Sequence, residues 1–175
     1  QVGQRKILDP ISITATRNPI KSFEYPGMVS VIGREELQTR QPSTPDDILK
    51  FVPNVEFTGD PRRTGRAIRL RGFSGPDVVV MFDGGRQNFR SAHDGRFFID
   101  PNLLKSVEVL RGPASALYGS GGTGGVMEFR TADAEDFLAS DETIGATVSA
   151  GYHTVNRERL GSFTTYAKPF EGLDF

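Results

Sequence analysis

The 175-residue sequence contains no cysteine, which excludes a disulfide framework and thiolate metal sites. It has no long apolar run. The longest, Val78-Val79-Val80-Met81-Phe82, falls far short of the roughly 20 residues a membrane helix needs. It has little excess of either charge: a formal net charge of -1 argues against a molecule that binds nucleic acid as an electrostatic whole. No basic segment followed by an apolar one opens the chain, so the expectation is that any signal peptide has been removed. What is present is globular in kind, 37% hydrophobic and 25% charged. At this length the prior is one compact domain with extra segments.

Four regions follow from the pattern. Residues 1–26 are polar and turn-rich, with Pro10, Pro19 and Pro26 and one extended patch, Ile11-Ser12-Ile13-Thr14. They read as a mobile arm. Residues 27–131 read as the folded domain. Met28 to Ile32 is a strand candidate, and Arg34 to Gln41 has helical character up to Pro42. Thr44 suits an N-cap, Pro45 the first helical position, and Asp46 and Asp47 the positive end of the dipole. Ala67 to Arg71 alternates, with Ile68 and Leu70 on one face and Arg69 and Arg71 on the other. Val78 to Phe82 is apolar throughout, as in a strand covered on both faces, and Asp83-Gly84-Gly85 ends it as a turn. Val107 to Leu110 alternates again, Pro113 to Leu117 makes one helical turn, and Gly125 to Thr131 is the last strand. Interleaved short helices and strands point to an α/β or α+β domain around a small mixed sheet.

Residues 132–143 form an acidic linker, and from residue 144 the period changes. Ile144, Ala146, Val148, Ala150 and Tyr152 alternate with Gly145, Thr147, Ser149, Gly151 and His153. Length and pattern match a transmembrane β-barrel strand with its apolar side to lipid, and also a soluble half-buried strand. A second, weaker strand covers residues 160–167.

Gly119 to Gly125 holds five glycines in seven positions. A phosphate loop would need a lysine after its second glycine and a helix starting at once. Here the glycines follow a helical turn and precede a strand, and no lysine is present. A dinucleotide-binding turn fails for the same reason of order. The glycines therefore read as positions of positive φ and close approach between surfaces.

Several motifs then resemble one family. Ile68-Arg69-Leu70-Arg71-Gly72, Val79-Val80-Met81-Phe82-Asp83-Gly84, and the run from Asp100-Pro101 through Val107-Glu108-Val109-Leu110-Arg111-Gly112-Pro113 to Leu117-Tyr118-Gly119 and Val126 look like the plug domain of TonB-dependent outer-membrane receptors. The resemblance spans about residues 9–131. It implies an α+β plug with a mixed sheet of four to five strands and short helices, seated inside its own β-barrel, of which residues 144–175 would be the first two strands. Asp9-Pro10-Ile11-Ser12-Ile13-Thr14-Ala15 resembles the TonB box, which pairs as a strand with the periplasmic partner TonB. Pro10 lacks a donor, so pairing would fall mainly within Ile11 to Ala15. Arg69, Arg71, Glu108 and Arg111 resemble the charged residues with which family plugs meet the barrel wall. The implied location is the bacterial outer membrane, with the arm in the periplasm.

The stretch Ser91-Ala92-His93-Asp94-Gly95-Arg96-Phe97-Phe98-Ile99-Asp100-Pro101 resembles the corresponding part of haem and haemoglobin receptors. That resemblance makes haem the transported ligand and His93 its axial iron ligand, a role neutral imidazole fills well. Arg86, Gln87, Arg90 and Arg96 become candidates for the propionates, and Phe97, with Phe89 and Phe98, for the porphyrin face. A plug for a ferric siderophore or cobalamin would keep the architecture and leave His93 idle. Arg62, Arg63, Arg66, Arg69 and Arg71 would suit a basic nucleic-acid module, but no stacking aromatics interleave them. No nucleic-acid partner is therefore expected. The His93-Asp94 pair has no nucleophile, second histidine or metal cluster beside it, so neither an enzyme nor a catalytic cofactor is expected.

Overall fold

The computed structural model describes residues 11–12, 14–58, 67–87, 99–138, 141–154 and 157–168. They divide into two compact units, Gln1–Thr131 and Ala132–Phe175.

The first unit begins with a short hairpin, β1 (Ile11–Ser12) against β2 (Ile20–Lys21). Then come β3 (Met28–Gly33), α1 (Arg34–Arg40), α2 (Pro45–Leu49), β4 (Val55–Thr58), β5 (Ala67–Leu70) and β6 (Phe73–Ser74). β7 (Val78–Phe82), β8 (Gly85–Arg86), β9 (Leu104–Arg111), α3 (Ser115–Tyr118) and β10 (Gly125–Thr131) complete it. β3, β9, β10, β7 and β8 form a five-stranded sheet in that order, antiparallel except for the β10–β7 pair. The parallel pair makes the sheet mixed. β4, β5 and β6 form a separate antiparallel sheet.

Alternation along the central strands sends side chains to two cores. Val78, Val80, Val107, Val109, Met127 and Phe129 join Leu37 of α1 and Ile48 and Leu49 of α2 on one face. Val79, Met81, Leu110 and Val126 join Ala15 and Ala114 on the other, with Ile20 and Tyr118 packed against them. A continuous apolar run at β7 is what a strand buried on both faces requires. Each large buried side chain contributes about 1.5–3 kcal/mol by leaving water. The helix that supplies Ile48 and Leu49 is well started. Thr44 Oγ1 accepts from the Asp47 amide at 3.3 Å, and Asp47 Oδ2 accepts from the Thr44 amide at 3.2 Å, a capping box behind Pro45.

One expectation changes here. Residues 11–12 and 14–21 do not lie free as an arm; they cover the second face of the sheet, with Ser12, Thr14 and Ala15 almost wholly buried. The physical reason is long-range. The acceptor that makes burial of Ser12 and Thr14 tolerable belongs to Glu108, on β9.

In the second unit, β11 (Ile144–His153) and β12 (Glu158–Ala167) form a ten-residue antiparallel hairpin. Ile144, Val148, Tyr152 and Phe163 are exposed on one side. On the other, Thr147 and Tyr166 hydroxyls meet at 3.0 Å and Ser149 and Ser162 at 2.6 Å. The acidic segment before the hairpin is more than a linker. Ala134–Asp136 forms a 3-10 turn closed by Asp133 and Asp136, and Phe137 stacks on Tyr166 with ring centroids 4.6 Å apart.

Candidate functional site

Two neighbourhoods carry the residues singled out from the sequence. The first centres on Glu108. Period-2 alternation places it on the face beneath the N-terminal hairpin, where it is 2% exposed. Its Oε2 accepts from the Ser12 hydroxyl at 2.6 Å and the Thr14 amide at 2.9 Å, while Arg130 Nε stands 3.6 Å from Oε1. The Thr14 carbonyl accepts from the Tyr118 hydroxyl at 2.8 Å. The resemblance makes Glu108 a barrel-wall contact; within this unit its carboxylate accepts from Ser12 and Thr14. Of the residues that resemble a TonB box, Ser12, Thr14 and Ala15 are brought to this neighbourhood, Ile11 is exposed in β1, and Asp9, Pro10 and Ile13 lie outside the described residues.

Glu128 completes the buried acidic pair. It faces Glu108 in the β9–β10 register and accepts from the Gly84 amide at 2.8 Å. Burial pushes its carboxyl up from the ordinary range, the Gly84 hydrogen bond and Arg130 oppose this, and the Glu108 and Asp83 charges add to it. Sequence reasoning missed Glu128. Its signal was a lone carboxylate among Gly125, Val126, Met127 and Phe129 in an otherwise apolar strand.

The second neighbourhood is arginine-rich. Arg69 and Arg71 are exposed, with Ile68 and Leu70 buried on the opposite face of β5, as alternation requires. Arg111 Nη2 donates to the Ser30 hydroxyl at 3.0 Å, and its buried Nε has no partner among the described residues. Burial, then the nearby Arg71 charge, pull the Arg111 guanidinium below its usual value. Two like charges with surplus donors suit a carboxylate arriving from outside this unit.

The haem candidates divide. Arg86 sits at the end of β8, but its guanidinium donates to the Tyr118 carbonyl at 3.2 Å and the Ser120 carbonyl at 2.6 Å. It ties β8 to the glycine-rich turn and is not free for a propionate in this conformation. Gln87 is exposed and donates to the Gly85 carbonyl at 3.2 Å. His93, Arg90, Arg96 and Phe97 lie outside the described residues.

The glycine-rich turn is structural. A Cβ on Gly121 (φ +84°) would overlap the Pro76 carbonyl oxygen, and one on Gly125 (φ +142°) the Leu110 carbonyl oxygen. Ala114 and Gly112 amides bond to the Gly122 and Gly124 carbonyls at 2.9 and 3.1 Å, so the turn is laced to the segment that follows β9. The backbone amides of a phosphate cradle would face outward instead.

Comparison with known proteins agrees with this architecture. Residues 21–126 match the family model for the TonB-dependent receptor plug domain. The chain is 38% identical over 155 residues to the heme/hemopexin utilization protein C of Haemophilus influenzae, covering 89% of this chain and 21% of that protein. It is 37% identical over 146 residues to the hemin receptor of Yersinia enterocolitica, covering 83% and 21%. Among solved structures it is similar to the Serratia marcescens hemophore receptor HasR in complex with its hemophore HasA and heme. There the TM-score is 0.63 and the identity 28%, over 81% of this chain and 22% of that one. The chain thus spans about a fifth of the length of the curated relatives it matches, 21% of each. The family model covers more than half of the chain, and the chain belongs to the TonB-dependent receptor plug domain family.

Proposed function

We propose that this chain is the plug and opening barrel strands of a bacterial outer-membrane receptor that takes up haem, free or from a haem protein such as haemoglobin, and is opened by TonB. The observation that carries the proposal is the similarity to haem-utilisation proteins over 155 residues, continuous through the plug and into the hairpin. His93 is the proposed axial ligand, with Gln87, Arg90, Arg96 and Phe97 around the porphyrin. Arg86 would join them only by leaving the Tyr118 and Ser120 carbonyls.

TonB would bind from the periplasmic side by adding a strand to the segment Asp9 to Ala15. Arg69, Arg71 and Arg111 are the proposed contacts to acidic groups of the barrel wall, a role the unpaired Arg111 Nε fits. The apolar stripe Ile144, Val148, Tyr152 and Phe163 would face lipid, and the hydroxyl-rich face the barrel interior. The work of this plug is binding and gating.

The test is a haem titration by absorbance on the complete receptor, wild type and His93→Ala. A saturable Soret shift that weakens or changes form in the variant is the expected result. Saturable binding of a ferric siderophore or cobalamin, with no haem response in either protein, overturns the haem reading and leaves the plug assignment standing.

A further inference from the structure

β8 is two residues long and lies at the edge of the five-stranded sheet, paired with β7 at Phe82–Gly85 and Met81–Arg86. A hairpin that short holds its shape poorly alone. Here it is fastened at both ends. At the turn, Asp83 (φ +46°) and Gly84 (φ +77°) take the left-handed conformations that a two-residue hairpin loop favours. The Thr131 amide and hydroxyl each donate to the Asp83 carboxylate at 2.8 Å, and the Gly84 amide donates to Glu128 at 2.8 Å. At the other end the Gln87 amide donates to the Val80 carbonyl at 2.8 Å, and the Arg86 guanidinium reaches the Tyr118 and Ser120 carbonyls. A helix end leaves carbonyls such as that of Tyr118 without an intrahelical partner, and a cation suits them. Gly121 makes the room: a Cβ there would stand 2.9 Å from Arg86 Nη2.

We propose that Arg86 is a positioning residue for the haem site: by tying β8 to the end of α3 and to the glycine-rich turn, it sets how Gln87 is presented. The inference rests on the haem reading above and deepens it by naming what holds that site in place. Gln87 follows Arg86 directly, and Arg90 and His93 come later in the same stretch of sequence. Fixing β8 before a ligand arrives removes an ordering cost from binding. The planar guanidinium fork suits this task, because it spans two carbonyls two positions apart in the chain. A staple of this kind acts through the backbone it fixes, whereas a propionate contact acts through the ligand's charge. The two roles therefore predict different dependence on the ligand.

The complete receptor is titrated by absorbance as wild type, Arg86→Gln and Arg86→Lys. The ligands are haem and haem whose two propionates are methyl esters. Hydrogen exchange of the backbone from Val80 to Gln87 is followed in the same proteins without ligand. Positioning predicts that Arg86→Gln weakens both ligands several-fold by the same factor, changes the form of the Soret band and speeds the exchange several-fold. Arg86→Lys keeps a cation but not the planar fork, and should recover part of each change. It carries the same comparison if Arg86→Gln does not fold. A loss confined to haem with free propionates makes Arg86 a ligand contact and overturns the proposal. So does an Arg86→Gln receptor with wild-type affinity and an unaltered Soret band, or exchange that neither substitution alters. A wild type that answers neither ligand sinks the haem reading and the positioning role with it; in every other failure the wild type still binds.

Discussion

Glu108 and Glu128 lie directly opposite each other on β9 and β10, both almost fully buried, with Arg130 beside the pair. Each carboxylate has its own donors: Ser12 and Thr14 for one, Gly84 for the other. The pair therefore links the N-terminal hairpin to the turn after β7 across the width of one strand pair.

The first prediction concerns pH. The Glu128 carboxyl is raised in the fold, chiefly by burial, so the native state holds its proton more tightly than the unfolded chain. Its contribution to stability is fully present below the ordinary carboxylate range and lost as pH rises through the raised folded value. Denaturant melts of the 175-residue chain between about pH 4 and pH 8 should show the difference between wild type and Glu128→Gln moving in favour of wild type as pH falls. A pH-independent difference would remove the assignment.

A second prediction follows from the turn between α3 and β10. Gly125→Ala forces a Cβ onto the Leu110 carbonyl at φ +142°, and should cost at least about 2 kcal/mol. Gly33→Ala meets open space, and should cost less than about 1 kcal/mol. Denaturant midpoints of the two variants, compared with wild type, check the ranking.

Thr44→Ala removes the side-chain acceptor for the Asp47 amide and should cost about 1 kcal/mol. Thr44→Ser keeps that acceptor and should recover most of the loss. Because α2 delivers Ile48 and Leu49 to the core, the effect should appear in global melts and not only as local fraying.

The barrel hairpin makes its own prediction. Val148→Arg puts a charge in the middle of the exposed stripe of β11, at a cost of about 2–4 kcal/mol if that face meets the bilayer midplane. Ser149→Thr on the opposite face should be tolerated. Folding yield of the complete receptor into lipid vesicles is the measurement, and equal yields for both variants would refute the lipid-facing assignment.

Local chemistry made much of the fold legible. The run Val78 to Phe82 could be read as a strand covered on both faces, and its side chains do alternate between two cores. Thr44 and Pro45 announced a helix start. Distant partners hid the rest. Ser12 and Thr14 look like surface residues, because nothing near them in sequence reveals an acceptor 96 or 94 positions away. Val55 to Thr58 escaped notice as a strand because it follows Pro53 and depends on pairing with β5. Thr14 and Tyr118 could be named from motifs, but only coordinates place them in contact. Likewise Arg86 looked available to an anion until its two carbonyl partners were seen.

The sheet order has a mechanical meaning. β3 is both the first strand of the five-stranded sheet along the chain and one of its edges, bonded to β9 alone from Met28 opposite Arg111 to Gly33 opposite Ser106. Once Ser12 and Thr14 have left Glu108, tension entering from the N-terminal side reaches the sheet at Met28, and when it acts across the strand the rungs break one after another. Peeling of this kind yields at far lower force than shearing six rungs at once. It would strip a single strand while β9, β10 and β7 stay paired, so a modest pull can loosen one margin of the plug without dissolving its centre.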